Sequence, residues 1–98
     1  MIARIWHGIV PTSKSAQYLE LMKKFAIRDY TATPGNRGAW CLHRSEGDVT
    51  HFVNLTFWDD FDAIKRFAGE DYSRARYYDF DPAYLIEMEP HVQHYEIG

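Results

Sequence analysis

Period-two alternation and helical spacing divide the chain into six main elements. Residues 2–10, "IARIWHGIV", are rich in β-branched and aromatic side chains and read as a strand. Parity sets Ala3, Ile5, His7 and Ile9 on one face and Ile2, Arg4, Trp6, Gly8 and Val10 on the other. Both faces hold large apolar groups, which predicts cover on both. "PTS" then offers a helix entry with a hydroxyl to cap it. Over residues 14–30, Tyr18, Leu21, Met22, Phe25, Ala26 and Tyr30 recur at helical spacing. The proline and glycines of "TATPGNRG" end that helix.

Strands are predicted over residues 38–44 and 49–58, joined by "SEGD", short enough for a hairpin. Asp59 or Asp60 caps the next helix, whose buried stripe is Phe61, Ile64 and Phe67 and whose stop is Gly69. Residues 70–78 suggest a further helical turn or two, and Asp81-Pro82 opens a short helical segment. The last strand is "PHVQHYEI", residues 90–97. The order β-α-β-β-α-β is the ferredoxin-like split βαβ arrangement, an α+β fold with helices on one face of a four-stranded antiparallel sheet. The chain has no further elements for the other face. A second copy is the natural cover, so the expectation is a homodimer closing two sheets face to face.

Composition narrows the classes. With 98 residues and no linker, low-complexity tract or repeat, residues 1–98 read as a single domain. The 16% aromatic content implies a core, interface or pocket built from large flat side chains. A formal charge of −3 with no basic block argues against a nucleic-acid partner. Cys41 is the single cysteine, which excludes an internal disulfide and a cysteine-held cluster. It also fits a reducing compartment. No signal peptide or membrane span is evident, and the expectation is a soluble cytoplasmic protein with no membrane partner.

One residue does not suit its surroundings. Strand 49–58 puts Val53, Leu55 and Phe57 on one parity, and Phe52, Asn54, Thr56 and Trp58 on the other. Asn54 brings two donors and an acceptor into an apolar run, at a cost unless they find partners. Asn54 and Trp58 share a face about 13–14 Å apart along the strand. Polar groups set in an aromatic wall describe a small-molecule pocket, expected between sheet and helices. The plainer readings are that Asn54 is satisfied by backbone, that Trp58 is packing, and that His43, beside Arg44 and a turn, faces solvent. Trp6 and Tyr77 then belong to core, dimer seam or pocket wall. His91 and His94 point to opposite faces of a strand, and His7, His43 and His51 have no supporting carboxylate or thiol spacing, so no metal is expected.

The βαββαβ order, the "ATPGNRG" loop, the "VNLTFWDDFDAIKRFAGED" stretch and the ending "EPHVQHYEI" resemble the antibiotic-biosynthesis monooxygenase family of dimeric α+β barrels, over essentially the whole chain. The motifs are most similar to small cofactor-independent members that oxidise phenolic polyketides to quinones. Their strand-3 asparagine and tryptophan match Asn54 and Trp58, and their pocket histidine falls at His43. Their tyrosine early in the following helix falls at Ile64, and their later arginine near Tyr77, with Arg76 adjacent. Heme-degrading relatives place a tryptophan where Phe67 stands and a heme-ligating histidine where Tyr77 stands. They also have a strand-1 asparagine where this chain has Trp6 and His7.

The resemblance implies oxidation of a phenolic or polycyclic aromatic by O₂, with no cofactor. Asn54 and Trp58 would donate to the developing oxyanion and His43 would take the proton, with Trp6, Ile64, Phe67, Arg76 and Tyr77 binding substrate. Two alternatives stand beside it. One is a ligand-binding dimer without catalysis, favoured by Ile64 in the tyrosine's place. The other is a heme-binding or heme-degrading monooxygenase, disfavoured by the same substitutions, although tyrosine can ligate heme iron.

Overall fold

In the computed structural model, which describes residues 1–98, β1 (Ile2–Pro11) lies at the centre between β3 (Val49–Trp58) and β4 (Gln93–Glu96), and β2 (Asn36–Glu46) forms the far edge beside β3. All three pairings are antiparallel. The fold is α+β and ferredoxin-like, as the element order implies. The inner parity of β3 is buried at every second residue, and the outer parity is half-buried throughout. Cover on both faces of β1 is therefore not what the single chain supplies: Ile5, His7 and Ile9 stay half-exposed while Trp6 and Val10 are buried. The physical reason is topological, because both crossovers place their helices on one face.

The first helical run is α1 (Ser15–Leu21), a π-helical turn (Met22–Ala26) and α2 (Ile27–Ala32), entered through a 3-10 turn at Thr12–Lys14. Its buried residues are Tyr18, Met22, Ala26 and Tyr30, one every four. In a regular helix of 3.6 residues per turn such a stripe drifts by about 40° per step. The wider π turn absorbs that drift and keeps the stripe on the sheet. Leu21 and Phe25, expected in the stripe, lie at its margin instead, with Phe25 packed on Phe80.

The loop "TPGN" is held by local chemistry. Gly35 sits at φ 93°, and a Cβ there would meet the Ala63 methyl at 2.5 Å, so glycine lets the loop lie against α3 (Phe61–Ala68). Asp60 caps α3 by accepting from the Ala63 N–H at 2.8 Å, and Gly69 ends it at φ 85°. β2 runs longer than the pattern predicts, and β4 is shorter. The helical turns expected over residues 70–78 do not form. That stretch is irregular and is tied instead to the approach to β4, through Ala75 N–H to Pro90 C=O and Val92 N–H to Ser73 C=O, both 2.9 Å. The 3-10 turn Asp81–Ala83 does form, and buried Asp81 accepts from the Tyr18 hydroxyl at 2.7 Å.

Candidate functional site

The register assembles a polar patch on the inner face of the sheet. Across β1 and β3, Trp6 pairs with Asn54 and Arg4 with Thr56, and on the other side Arg4 pairs with His94 of β4. Above the patch lie Met22 and Tyr30 from the first helical run and Phe67 from α3. Asn54 is 2% exposed. Its Nδ2 has only two contacts, Met22 Sδ and the Tyr30 hydroxyl, each at 3.5 Å, and its Oδ1 has no partner. Both contacts stand at the limit of useful hydrogen bonding. The asparagine is inward-pointing and under-satisfied, so the backbone-satisfied reading does not hold.

Trp58 is wholly buried, but its indole N–H donates to Thr56 Oγ1 at 2.8 Å, and Thr56 in turn donates to the Arg4 carbonyl at 3.2 Å. The indole is thus committed inside the fold and presents no free donor beside Asn54. Ile64 and Phe67 are buried on α3, where Phe67 packs on Trp58 and Tyr30. Arg76 lies over the Phe67 ring at 4.7 Å and donates to its carbonyl at 3.3 Å. Tyr77 sits edge-on to Trp6, with its hydroxyl donating to the Glu89 carbonyl. His43 is exposed on the edge strand, stacked at 5.8 Å on Phe52. Of the seven residues expected with Asn54, Trp6, Phe67, Arg76 and Tyr77 border the inner layer, Ile64 is buried on α3, Trp58 belongs to the layer as packing, and His43 stands apart.

The space between sheet and helices is filled by these side chains rather than open. The two surface hollows lie elsewhere. One, of about 510 Å³, runs along the outside of the first helical run beside Glu20 and Lys24. The other, of about 280 Å³, is lined by His7, Leu42, His43, Arg44, His51 and Val53. There His7 Nε2 meets His51 Nδ1 at 3.1 Å, His7 Nδ1 bonds Glu89, and His51 lies 3.4 Å from Glu46. His7 and His51 do converge, but no group of three potential ligands has metal-binding geometry.

Burial shapes the electrostatics of the layer. It pushes the Tyr30 phenol up, with nearby Arg4 partly opposing, and it pulls the Arg4 guanidinium and the His94 imidazole down. The Cys41 thiol, across the β2–β3 register from Asn54, is pushed up to about 11 by burial and stays protonated at neutral pH. Arg4, Tyr30 and His94 were not among the expected site residues. The available signal for Arg4 was its parity: a guanidinium on the same strand face as Trp6 and Val10.

No protein-family profile matches the chain, and no curated protein matches it. Among solved structures, the fold is similar to the crystal structure of a point mutant of MhuD with two manganese protoporphyrin IX bound per active site. The TM-score is 0.61 at 17% identity, covering 99% of this chain and 94% of that one. The likeness supports the α+β fold that the family resemblance implies. It also corrects one expectation. A fold working without any cofactor does not agree with a similar structure whose active site holds porphyrins. No helix is long and apolar enough to cross a membrane.

Proposed function

We propose that this protein is a monooxygenase-type α+β barrel that takes a flat, oxyanion-bearing aromatic ligand between sheet and helices, with a porphyrin foremost. The observation that carries the reading is the set of buried polar atoms without partners, Arg4 Nε and Nη2, Trp6 Nε1, Asn54 Oδ1 and His94 Nε2, set among aromatic rings. Native interiors leave few such atoms, and each invites an explanation. The donor set suits heme: Arg4 and Arg76 would hold its carboxylates, the rings of Trp6, Phe67 and Tyr77 would line the macrocycle, and His94 Nε2, which has no partner in the fold, would be the nitrogen offered to iron. Bound heme would supply iron that activates O₂. The chain's own residues hold the ligand's charge, orient its ring and exclude water.

Entry is by the irregular stretch from residue 70 to 80, which covers the layer with Arg76, Tyr77 and Tyr78 and is held to the approach to β4 by a single antiparallel bridge and two backbone hydrogen bonds rather than by a helix or a continuous ladder. The outer sheet face serves assembly. Trp40, Leu42 and Tyr95 stand about half exposed there, and a second copy covers them in a homodimer.

Titration with hemin tests the reading. A red-shifted, saturable Soret band is expected, weakened in Arg76→Ala; an unshifted band at excess protein refutes it. A smaller phenolic in the same layer is the second reading, favoured by the close packing, since it displaces fewer side chains. Competition of 2-naphthol against hemin distinguishes the two.

A further inference from the structure

Arg4 is the sharpest anomaly in the molecule. Its side chain reaches inward from the central strand and is 1% exposed. Arginine stays charged under all ordinary conditions and carries five N–H donors. Yet Nε and Nη2 have no partner with hydrogen-bond geometry. The carboxylates that engage arginine go elsewhere: Asp59 to Arg37, Glu46 to Arg44, Asp71 to Arg74 and Asp29 to Arg76. What surrounds Arg4 adds no negative charge. The Phe67 ring lies 5.4 Å from its Cζ, its hydrogen-bonding neighbour Tyr30 is a phenol held neutral by burial, the His94 imidazole is kept neutral by burial, and Arg76 brings further positive potential.

Counting the orphaned atoms gives the sign of what is missing. Arg4 Nε, Arg4 Nη2 and Trp6 Nε1 are donors, whereas Asn54 Oδ1 is an acceptor and His94 Nε2 takes either role. A surplus of donors around an uncompensated guanidinium calls for an acceptor with negative charge. Buried water offers an acceptor but leaves the charge in place, and breaking a buried ion pair by removing its anion is strongly unfavourable. The neighbouring rings of Trp6, Tyr30, Phe67 and Tyr77 select a flat body behind that anion.

We propose that Arg4 is the counter-ion for a carboxylate carried on a flat aromatic ring, which binds on the inner face of the sheet beside β1 by displacing the aromatic side chains that fill that layer in the ligand-free protein. Trp6 N–H gives the oxyanion a further donor, and Asn54 Oδ1 accepts from a hydroxyl or N–H elsewhere on the ligand. The inference rests on the reading of the inner layer as the ligand layer, but not on heme as the ligand.

The probes are 2-naphthoate and its neutral isostere 2-naphthamide, compared by titration calorimetry with the wild type, Arg4→Met and Arg4→Lys. A charge-assisted pairing predicts that wild type binds the naphthoate about tenfold or more tightly than the amide. Arg4→Met should erase that preference and, without ligand, melt no lower than wild type, because a buried unpaired charge is replaced by a side chain of similar shape. A purely structural arginine predicts the opposite melting shift. Arg4→Lys keeps the charge without the planar fork and should bind the naphthoate several-fold more weakly than wild type, which keeps the test decisive if Arg4→Met does not fold. Equal affinity for the two probes, a preference that survives Arg4→Met, or binding of neither probe overturns the proposal and leaves the donors to water. Hemin affinity is measured in parallel: its absence with the naphthoate preference intact refutes heme as ligand and spares Arg4.

Discussion

On the inner face of the sheet Phe52, Trp58 and Val10 are wholly removed from solvent, whereas on the outer face Trp40, Leu42 and Tyr95 remain 52, 48 and 56% exposed. Polar groups follow the reverse rule. Outside, His7 pairs with Glu89 and His51, and Arg44 with Glu46. Inside, Arg4, Trp6 and Asn54 hold polar atoms with no partner. One face thus has its polar chemistry satisfied and its apolar surface uncovered; the other is covered and holds a buried guanidinium with no anion. Apolar surface is satisfied by any complementary apolar surface, so the outer face suits a second copy. An unpaired buried guanidinium asks for a particular chemistry, so the inner face suits a small ligand.

The largest effect expected from breaking this contrast is on folding. Trp58→Ala removes a fully buried ring packed on Tyr30 and Phe67 and should cost about 3–5 kcal/mol in urea unfolding. A loss below about 1 kcal/mol would mean the layer is loosely packed. On the outer face Leu42→Lys should leave the folding of the chain within about 0.5 kcal/mol. It should still reduce the light-scattering mass from that of two chains to the 11.5 kDa of one. A wild type already at one-chain mass at micromolar concentration would refute the homodimer.

Smaller changes sharpen the inner half of the comparison. Asn54→Leu replaces an under-satisfied amide by an apolar group of similar size. Because the amide's contacts are long and its carbonyl is orphaned, the ligand-free protein should gain or lose no more than about 1 kcal/mol. A loss of several kcal/mol would show the amide to be a structural keystone instead.

The smallest effect is a slope with pH. Burial, and then the Arg4 charge, hold the His94 imidazole below its usual protonation range near 6.5. The unfolded chain therefore binds this proton first as pH falls. Stability from this residue is complete above pH 6.5 and declines as the pH drops from there to the depressed native value. His94→Gln should flatten that limb of a melting-temperature profile. An unchanged limb would assign it to other groups.

How far the sequence could be read depended on the range of the interaction. Strand β3 matches its alternation over Val49–Trp58, and Asp60 and Gly69 bound α3, because parity, caps and glycine stops act between residues a few positions apart. The same alternation put Asn54 and Trp58 on one face. It did not reveal that Thr56 takes the indole N–H or that residues 70–78 are irregular, although the turn beside Arg44 already offered solvent exposure as the plainer reading of His43. Those outcomes depend on where strands order themselves and on contacts between distant segments, such as residues 73–75 with 90–92.

The amino-acid order by itself thus determined the split βαβ fold, the apolar stripes that pack it, and that Asn54 shares a face with Trp58 and Arg4 with Trp6, since each follows from local periodicity. Only the tertiary structure decided which of those inward polar groups find mates. Partner supply is a property of all the elements meeting at one place: Asp59, Glu46, Asp71 and Asp29 came to lie at other arginines, buried Asp81 at Tyr18, and no carboxylate reached Arg4.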